Sequence, residues 1–235
     1  LYKNKKLWAT VGSRIISNMS FYKEYIFSEE ELYELIANEE YLIDDSQEIY
    51  GKKLINFLQI WELIRQKIIE SKENYRRDNV HKWAFKIEDY IKIYMLLDEA
   101  GEFEYVFQKI KDEKSKTLKM IEFFEESLIE EATLELFIED MLITFIYFAI
   151  ERPLGQYTLI FINLISNAML LYRGFGPIWP SDKNEMIDFA KQASQLIIQC
   201  KGLKIEHYNR TPLFKGCYKR LLDMSENNKL ILEAL

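Results

Sequence analysis

The chain has 235 residues, 49% of them hydrophobic and 14% aromatic, with only 8 Gly and 4 Pro. That composition argues against a turn-rich all-β protein and supplies enough apolar material for a substantial core; no Pro/Gly/Ser-rich linker divides the chain, so one compact unit over residues 1–235 is expected. A net charge of −7 with Lys and Arg scattered argues against a nucleic-acid groove, although it leaves room for a local nucleotide pocket.

Cys200 and Cys217 lack CxxC spacing and make no disulfide framework. The opening LYKNKKLWAT has neither the apolar core of a signal peptide nor a basic, Ser-rich composition. A reduced interior follows as the expected compartment, the cytoplasm or a host cell into which the chain is delivered. The longest apolar run, 141–150, has ten residues, well short of the roughly 18 to 20 that span a bilayer.

In chain order, Leu7, Trp8, Val11, Ile15 and Ile16 recur at helical spacing and predict a short helix over 7–19. Ser28, followed by Glu29, Glu30 and Glu31, reads as an N-cap with carboxylates in the first turn, and Ser28 with Glu31 fits a capping box. That helix should run to about Ala37. A polar break at 38–46 precedes an amphipathic helix over about 49–73, with Leu54, Phe57, Leu58, Trp61, Ile64, Ile68 and Ile69 on one side. The charged stretch 71–78, SKENYRRD, reads as a solvated turn.

Helix is expected again over 82–99, with Ile87, Ile91, Tyr94, Met95 and Leu97 as its apolar face. Residues 101–107, GEFEYVF, hold the only strand or hairpin signal. A helix from about Ser115, broken near 127–133, leads into the most hydrophobic part of the chain, where residues 141–150 carry one polar side chain, Thr144. Residues 159–172 are apolar apart from Asn163, Ser166 and Asn167. Helices apolar on all sides belong at the centre of a larger helical domain, and Pro153 with Gly155 turns the chain between them. Ser181 and Asp182 can cap a helix over 183–200, and the last 35 residues, with Gly202, Pro212 and Gly216, should end in one or two short helices. The predicted fold class is all-α.

The order of these pieces is similar to that of the Fic domain family, mostly helical proteins that transfer AMP or a related phosphate-containing group from a nucleotide to a protein hydroxyl. SEEELYELIANEEYLIDDSQEIYGKKLINFLQIWELI looks like the family's acidic helix start, break and long amphipathic helix, and KIEDYIKIYMLLDEAGEFE resembles the helix leading into the target-binding flap hairpin. FIYFAIERPLGQYTLIFINLISNAMLLYRGFGPI looks like the helix, active-site loop and core helix that define the family. The resemblance implies an inhibitory-type helix at about 7–19, a core over 82–200 and C-terminal helices over 201–235.

The family motif, His-Pro-Phe-x-Asp/Glu-Gly-Asn-Gly/Lys-Arg-x-x-Arg, overlays from Arg152 without a gap, and only Pro153 is identical. Arg152 stands where the family has its catalytic His, and a guanidinium is not a base near neutral pH. Gln156 replaces the metal-binding carboxylate and offers at most a carbonyl oxygen. Tyr157 and Leu159 stand at glycine-type positions of the phosphate-cradling loop, Thr158 replaces Asn, and Ile160 and Asn163 replace the two arginines. The charges that would stabilise a transferring phosphoryl group are missing. The family's inhibitory pattern, Ser/Thr-x-x-x-Glu-Gly/Asn, finds its nearest match in Ser13, Ser17 and Asn18, with Ser17 where the Glu would be. Both ends of that ion pair, Ser17 and Asn163, are neutral.

Bland readings stand beside these. Arg152 beside Glu151 is most simply a solvated loop pair, and the alternative is an inward-facing anion ligand. Tyr157, Thr158 and Asn163 read as packing and helix-cap residues ahead of ligands. His81 and His207 have no metal-like spacing to Cys or carboxylates, so no metal site is evident; Asp44, Asp45 and Glu48 read as helix-start residues. Cys217, beside Lys215, Lys219 and Arg220, reads as a structural thiol for want of a placed base.

The expectation is a Fic-like protein without the usual catalytic motif, acting by binding a protein partner through the groove beside 101–107 or a homodimer face. A transferase with altered chemistry, taking ATP or another nucleotide through Arg152, Gln156, Tyr157, Thr158 and Asn163 and acting on a protein substrate, is the alternative. An unrelated helical interaction protein is the third reading.

Overall fold

The computed structural model describes residues 1–20, 27–110, 113–129 and 133–235. The fold is all-α. Its helices are α1 (Lys5–Ser20), α2 (Glu29–Ala37), α3 (Ser46–Tyr50), α4 (Lys52–Asp78), α5 (Ile87–Leu97), α6 (Lys116–Ile129), α7 (Leu134–Glu151), α8 (Thr158–Arg173), α9 (Lys183–Cys200) and α10 (Pro212–Ala234). Among the described residues no helix is long and apolar enough to cross a membrane.

The apolar run 159–172 becomes α8, buried along nearly its whole length and packed against α4, α5 and α7. α7 in turn packs against α6, α8, α9 and α10. A cluster of buried apolar side chains extends from Trp8 on α1 to Leu221 on α10. α1 joins it through Trp8, whose ring stacks on Trp61 of α4 with centroids 4.3 Å apart. Gly12 permits that approach, because a Cβ there would lie 2.3 Å from Trp61 Nε1. Ser28 caps α2 as expected, its hydroxyl accepting from the Glu31 N–H at 3.4 Å.

Several boundaries differ from the sequence reading. The helix expected over 49–73 is split by Gly51, whose φ of +87° ends α3 and starts α4. Residues 71–78 are not a turn but the end of α4. Ser71 is buried there, donating to Lys67 O at 2.7 Å and accepting from Ala84 N at 2.9 Å, and the helix stops only at Asn79, in the left-handed region. Residues 80–86 run without helix, and α5 starts at Ile87, where the Asp89 carboxylate accepts from Lys86 N at 2.8 Å.

The hairpin expected at 101–107 lies further along. Residues Glu104–Phe107 form a 3-10 turn, and the ladder is two residues deep, with β1 (Lys109–Ile110) antiparallel to β2 (Glu113–Lys114). The break expected near 127–133 falls partly on 130–132, outside the described residues; Ser127 is still in α6, and Thr133 caps α7 by accepting from Leu136 N at 3.4 Å. At the C-terminal end, a 3-10 segment (Ile205–Arg210) leads into the 23-residue α10, started by Pro212 at a position that needs no N–H donor.

Candidate functional site

The turn between α7 and α8 is closed by its own hydrogen bonds. Pro153 cannot donate and disfavours right-handed helix in the residue before it; Arg152 takes φ 46°, ψ 51° and ends α7 by donating its N–H to Phe148 O at 2.9 Å. Leu154 is fully buried and anchors the turn. Gly155, with φ +55°, lies under Phe103, whose ring carbon would be 2.7 Å from an added Cβ. The Thr158 hydroxyl accepts from Leu154 N at 3.0 Å and donates to Gly155 O at 2.9 Å. Arg152 and Gln156 are exposed, and Tyr157 packs half-buried against the core.

The turn thus gathers Gln156, Tyr157 and Thr158, while Asn163 lies elsewhere, in the wall of a cavity of about 50 Å³ between α7, α8, α9 and α10. Met141, Phe145, Phe189 and Leu221 supply most of that wall, and among the described residues no charged side chain lines it. Asn163 Oδ1 accepts from Asn167 Nδ2 at 2.6 Å, and Asn167 Oδ1 accepts from Ile178 N at 2.7 Å. The pair therefore holds the chain after α8 against the helix.

That chain, residues 176–182, forms a strap between α8 and α9 and floors a larger, open cleft of about 490 Å³. α1 contributes Arg14, Ser17 and Asn18, the strap Trp179, and α10 Asn228 and Ile231. Gly176 and Ser225 fasten the strap to α10, the serine hydroxyl donating to Gly176 O at 2.6 Å. Asn228 Nδ2 donates to Pro177 O and Trp179 O at 2.9 and 3.0 Å. Arg14 lies 5.4 Å over the Trp179 ring and pairs with Glu29 at 3.2 Å. Asp182 is committed to capping α9, accepting from Asn184 N and Glu185 N at 2.7 and 2.9 Å.

Of the residues resembling an inhibitory motif, Ser17 and Asn18 face this cleft, whereas Ser13 is buried and donates to Thr10 O at 3.1 Å. Ser17 Oγ donates to Arg14 O at 3.1 Å, and no histidine lines the cleft to act as its base. The arrangement suits binding: amide, hydroxyl and charged groups of both signs around an aromatic floor, with Met186 and Ile231 as apolar contacts. Sequence reading passed over Arg14, Trp179 and Asn228. The signal was the run GPIWPSD at 176–182, where prolines flanking an aromatic mark a stiff connection that presents a side chain.

A third hollow, of about 440 Å³, lies between Lys116, Tyr147, Glu151, Lys204 and Tyr208. Burial pushes the Tyr147 phenol up to about 12, with the Glu151 charge adding to the shift. Both cysteines are buried free thiols, and burial pushes Cys217 up to about 11, as befits a structural thiol. Among the described residues no group of three or more His, Cys, Asp and Glu side chains could hold a metal ion. Among the described residues the most perturbed carboxyl is that of Glu125, which burial pushes up to about 7; it accepts a hydrogen bond from Tyr90, whose oxygen accepts from Trp83 Nε1 at 3.0 Å. No protein-family model, curated protein or solved structure matches the chain.

Proposed function

We propose that the chain is a Fic-like binding or regulatory protein that performs no group transfer and takes a segment of a protein partner into the cleft between α1, the 176–182 strap and α10. The observation that carries this reading is a contrast between two places. At the Arg152–Thr158 turn the Thr158 hydroxyl is committed to the backbone and Gly155 is covered by Phe103. In the cleft, polar and apolar groups line about 490 Å³ of open space on a strap fixed from three carbonyls. A pre-set backbone with a mixed lining favours an extended polypeptide carrying one apolar side chain, because little ordering entropy is lost on the receptor side.

The test has two arms. Peptides selected from a random library on the intact protein should bind wild type and lose about ten-fold or more in affinity to Ile231→Arg, a change that places an unpaired charge in the apolar part of the cleft. Incubation with ATP, other nucleotides and nucleotide-sugars should leave the protein and candidate acceptors unlabelled. Transfer of label to either would overturn the non-catalytic reading, and peptides indifferent to Ile231→Arg would remove the cleft from it.

A further inference from the structure

Asn163, Ser166 and Asn167 are the polar side chains of the apolar run 159–172, and they share one face of α8, Asn163 standing three and four positions before the other two. All three line the hollow of about 50 Å³ between α7, α8, α9 and α10.

Asn167 is fully engaged. Its Oδ1 accepts from Ile178 N at 2.7 Å, and its Nδ2 donates to Asn163 O and Asn163 Oδ1 at 3.1 and 2.6 Å. A backbone N–H can only donate, so the chain of bonds from Ile178 fixes which way both amides point. Asn163 Oδ1 is thereby the acceptor, and Asn163 Nδ2 is left as a donor with no partner among the described residues. Ser166, only 7% exposed, likewise makes no side-chain hydrogen bond among them.

Water alone fills such a space poorly. A volume of about 50 Å³ has room for several waters at roughly 10 to 15 Å³ each, and each needs two to four polar partners. One water can bridge Asn163 and Ser166, but the others would face Met141, Leu142, Phe145, Phe189 and Leu221. An alkyl group suits that part of the wall, and a hydrogen-bond acceptor suits the part made by α8. Charge suits neither, since among the described residues no charged side chain lines the hollow to offset the loss of water around an ion.

Phe145, Ile178 and Phe189 are half-buried in the wall and leave a way in from solvent. The volume is about a third of the roughly 150 Å³ that admits benzene, so about two or three heavy atoms enter and the rest of a ligand occupies the mouth.

We infer that this hollow binds a small neutral carbonyl compound, a ketone or ester with a short alkyl chain. The carbonyl oxygen accepts from Asn163 Nδ2, with the Ser166 hydroxyl as a second donor, and the alkyl end lies against Met141, Phe145, Phe189 and Leu221. The site is independent of the strap cleft and of the partner proposed there.

An NMR titration of the intact, nitrogen-15-labelled chain with 2-butanone tests it. The side-chain amide signals of Asn163, once assigned, should move saturably with a Kd that is roughly millimolar. Butyrate and n-butylammonium, similar in size but charged, should bind about ten-fold more weakly or worse. Ser166→Ala and Asn163→Leu should each weaken 2-butanone by about three- to ten-fold, the range of one net hydrogen bond. The amide signals are followed in wild type, so that readout needs no variant to fold. No saturable movement of those signals, equal binding of butyrate, or unchanged affinity in Ser166→Ala and Asn163→Leu alike would overturn the assignment.

Discussion

Tyr90 donates its hydroxyl proton to Glu125 across the interface of α5 and α6, and holds a carboxyl group where most of its water has been removed. Burial is the first cause of the shift that brings Glu125 from an ordinary 4.5 up to about 7, and the bond from Tyr90 opposes it. The folded pKa is raised, so folding favours the protonated form. The stabilisation is complete below about 4.5 and is lost as pH rises through about 7. That difference corresponds to roughly 3 kcal/mol. Glu125→Gln keeps the shape without the titration, so the variant should gain stability relative to wild type as pH goes from 5 to 8. Urea unfolding at both values measures this, and parallel pH dependences for the two proteins would show that Glu125 does not titrate in that window.

Gly176 is irreplaceable for a simpler reason. A Cβ at this position would lie 1.9 Å from Ser225 O and 2.6 Å from Lys229 N, both backbone atoms that cannot swing aside. Gly176→Ala should cost about 3 kcal/mol or more by lifting the strap from α10. Ser225→Ala, which leaves Gly176 O without its donor, should cost about 1 to 2 kcal/mol. Denaturant midpoints rank the two, and a Gly176→Ala protein as stable as wild type would mean the strap does not sit against α10.

The all-α class and the central α7–α8 pair could be read in the sequence because burial of 141–150 and 159–172 leaves a local mark, an apolar residue at nearly every position. The end of α4 could not. SKENYRRD is polar, and its helicity rests on Ser71 bonding to Ala84, a contact 13 residues away that periodicity does not encode. The hairpin was displaced for a similar reason, since Phe103 is drawn onto Gly155 and Val106 and Phe107 into the core, leaving the ladder to Lys109, Ile110, Glu113 and Lys114. The cleft needs α1, the strap and α10 at once, and the sequence marks only Ser17 and Asn18 of its lining as site residues, with Glu29, Ser181 and Asp182 read as helix-start residues.

Arg152 separates an anion ligand from a helix cap. It is exposed and left-handed, with its backbone N–H on Phe148 O at 2.9 Å, so its side chain contributes little to folding. Arg152→Gly should stabilise the protein by about 0.5 to 1 kcal/mol, because glycine adopts positive φ without steric cost. Arg152→Ala should fall within about 0.5 kcal/mol of wild type. Thr158→Val, which removes both bonds that close the turn, should instead cost about 1 to 2 kcal/mol. Thermal unfolding of the three variants checks the order. A loss of several kcal/mol in Arg152→Ala would identify a buried ion-pair member in place of a cap.

Cys217 bears on how firmly α10 is held. Its thiol is fully buried, and loss of water around it outweighs the favourable charge of Arg220, so the pKa stands near 11. A thiolate is the reactive form, and at neutral pH burial leaves almost none of it. Ellman's reagent should therefore modify Cys217 only through opening of α10, at a rate that rises with urea in step with unfolding. Cys200, buried and 3.9 Å from the Thr211 hydroxyl, should behave alike. Rapid labelling of either thiol in native buffer would mean that α9 and α10 separate far more readily than their packing against α7 implies. The strap cleft, which rests on α10, would then be open part of the time rather than fixed in shape.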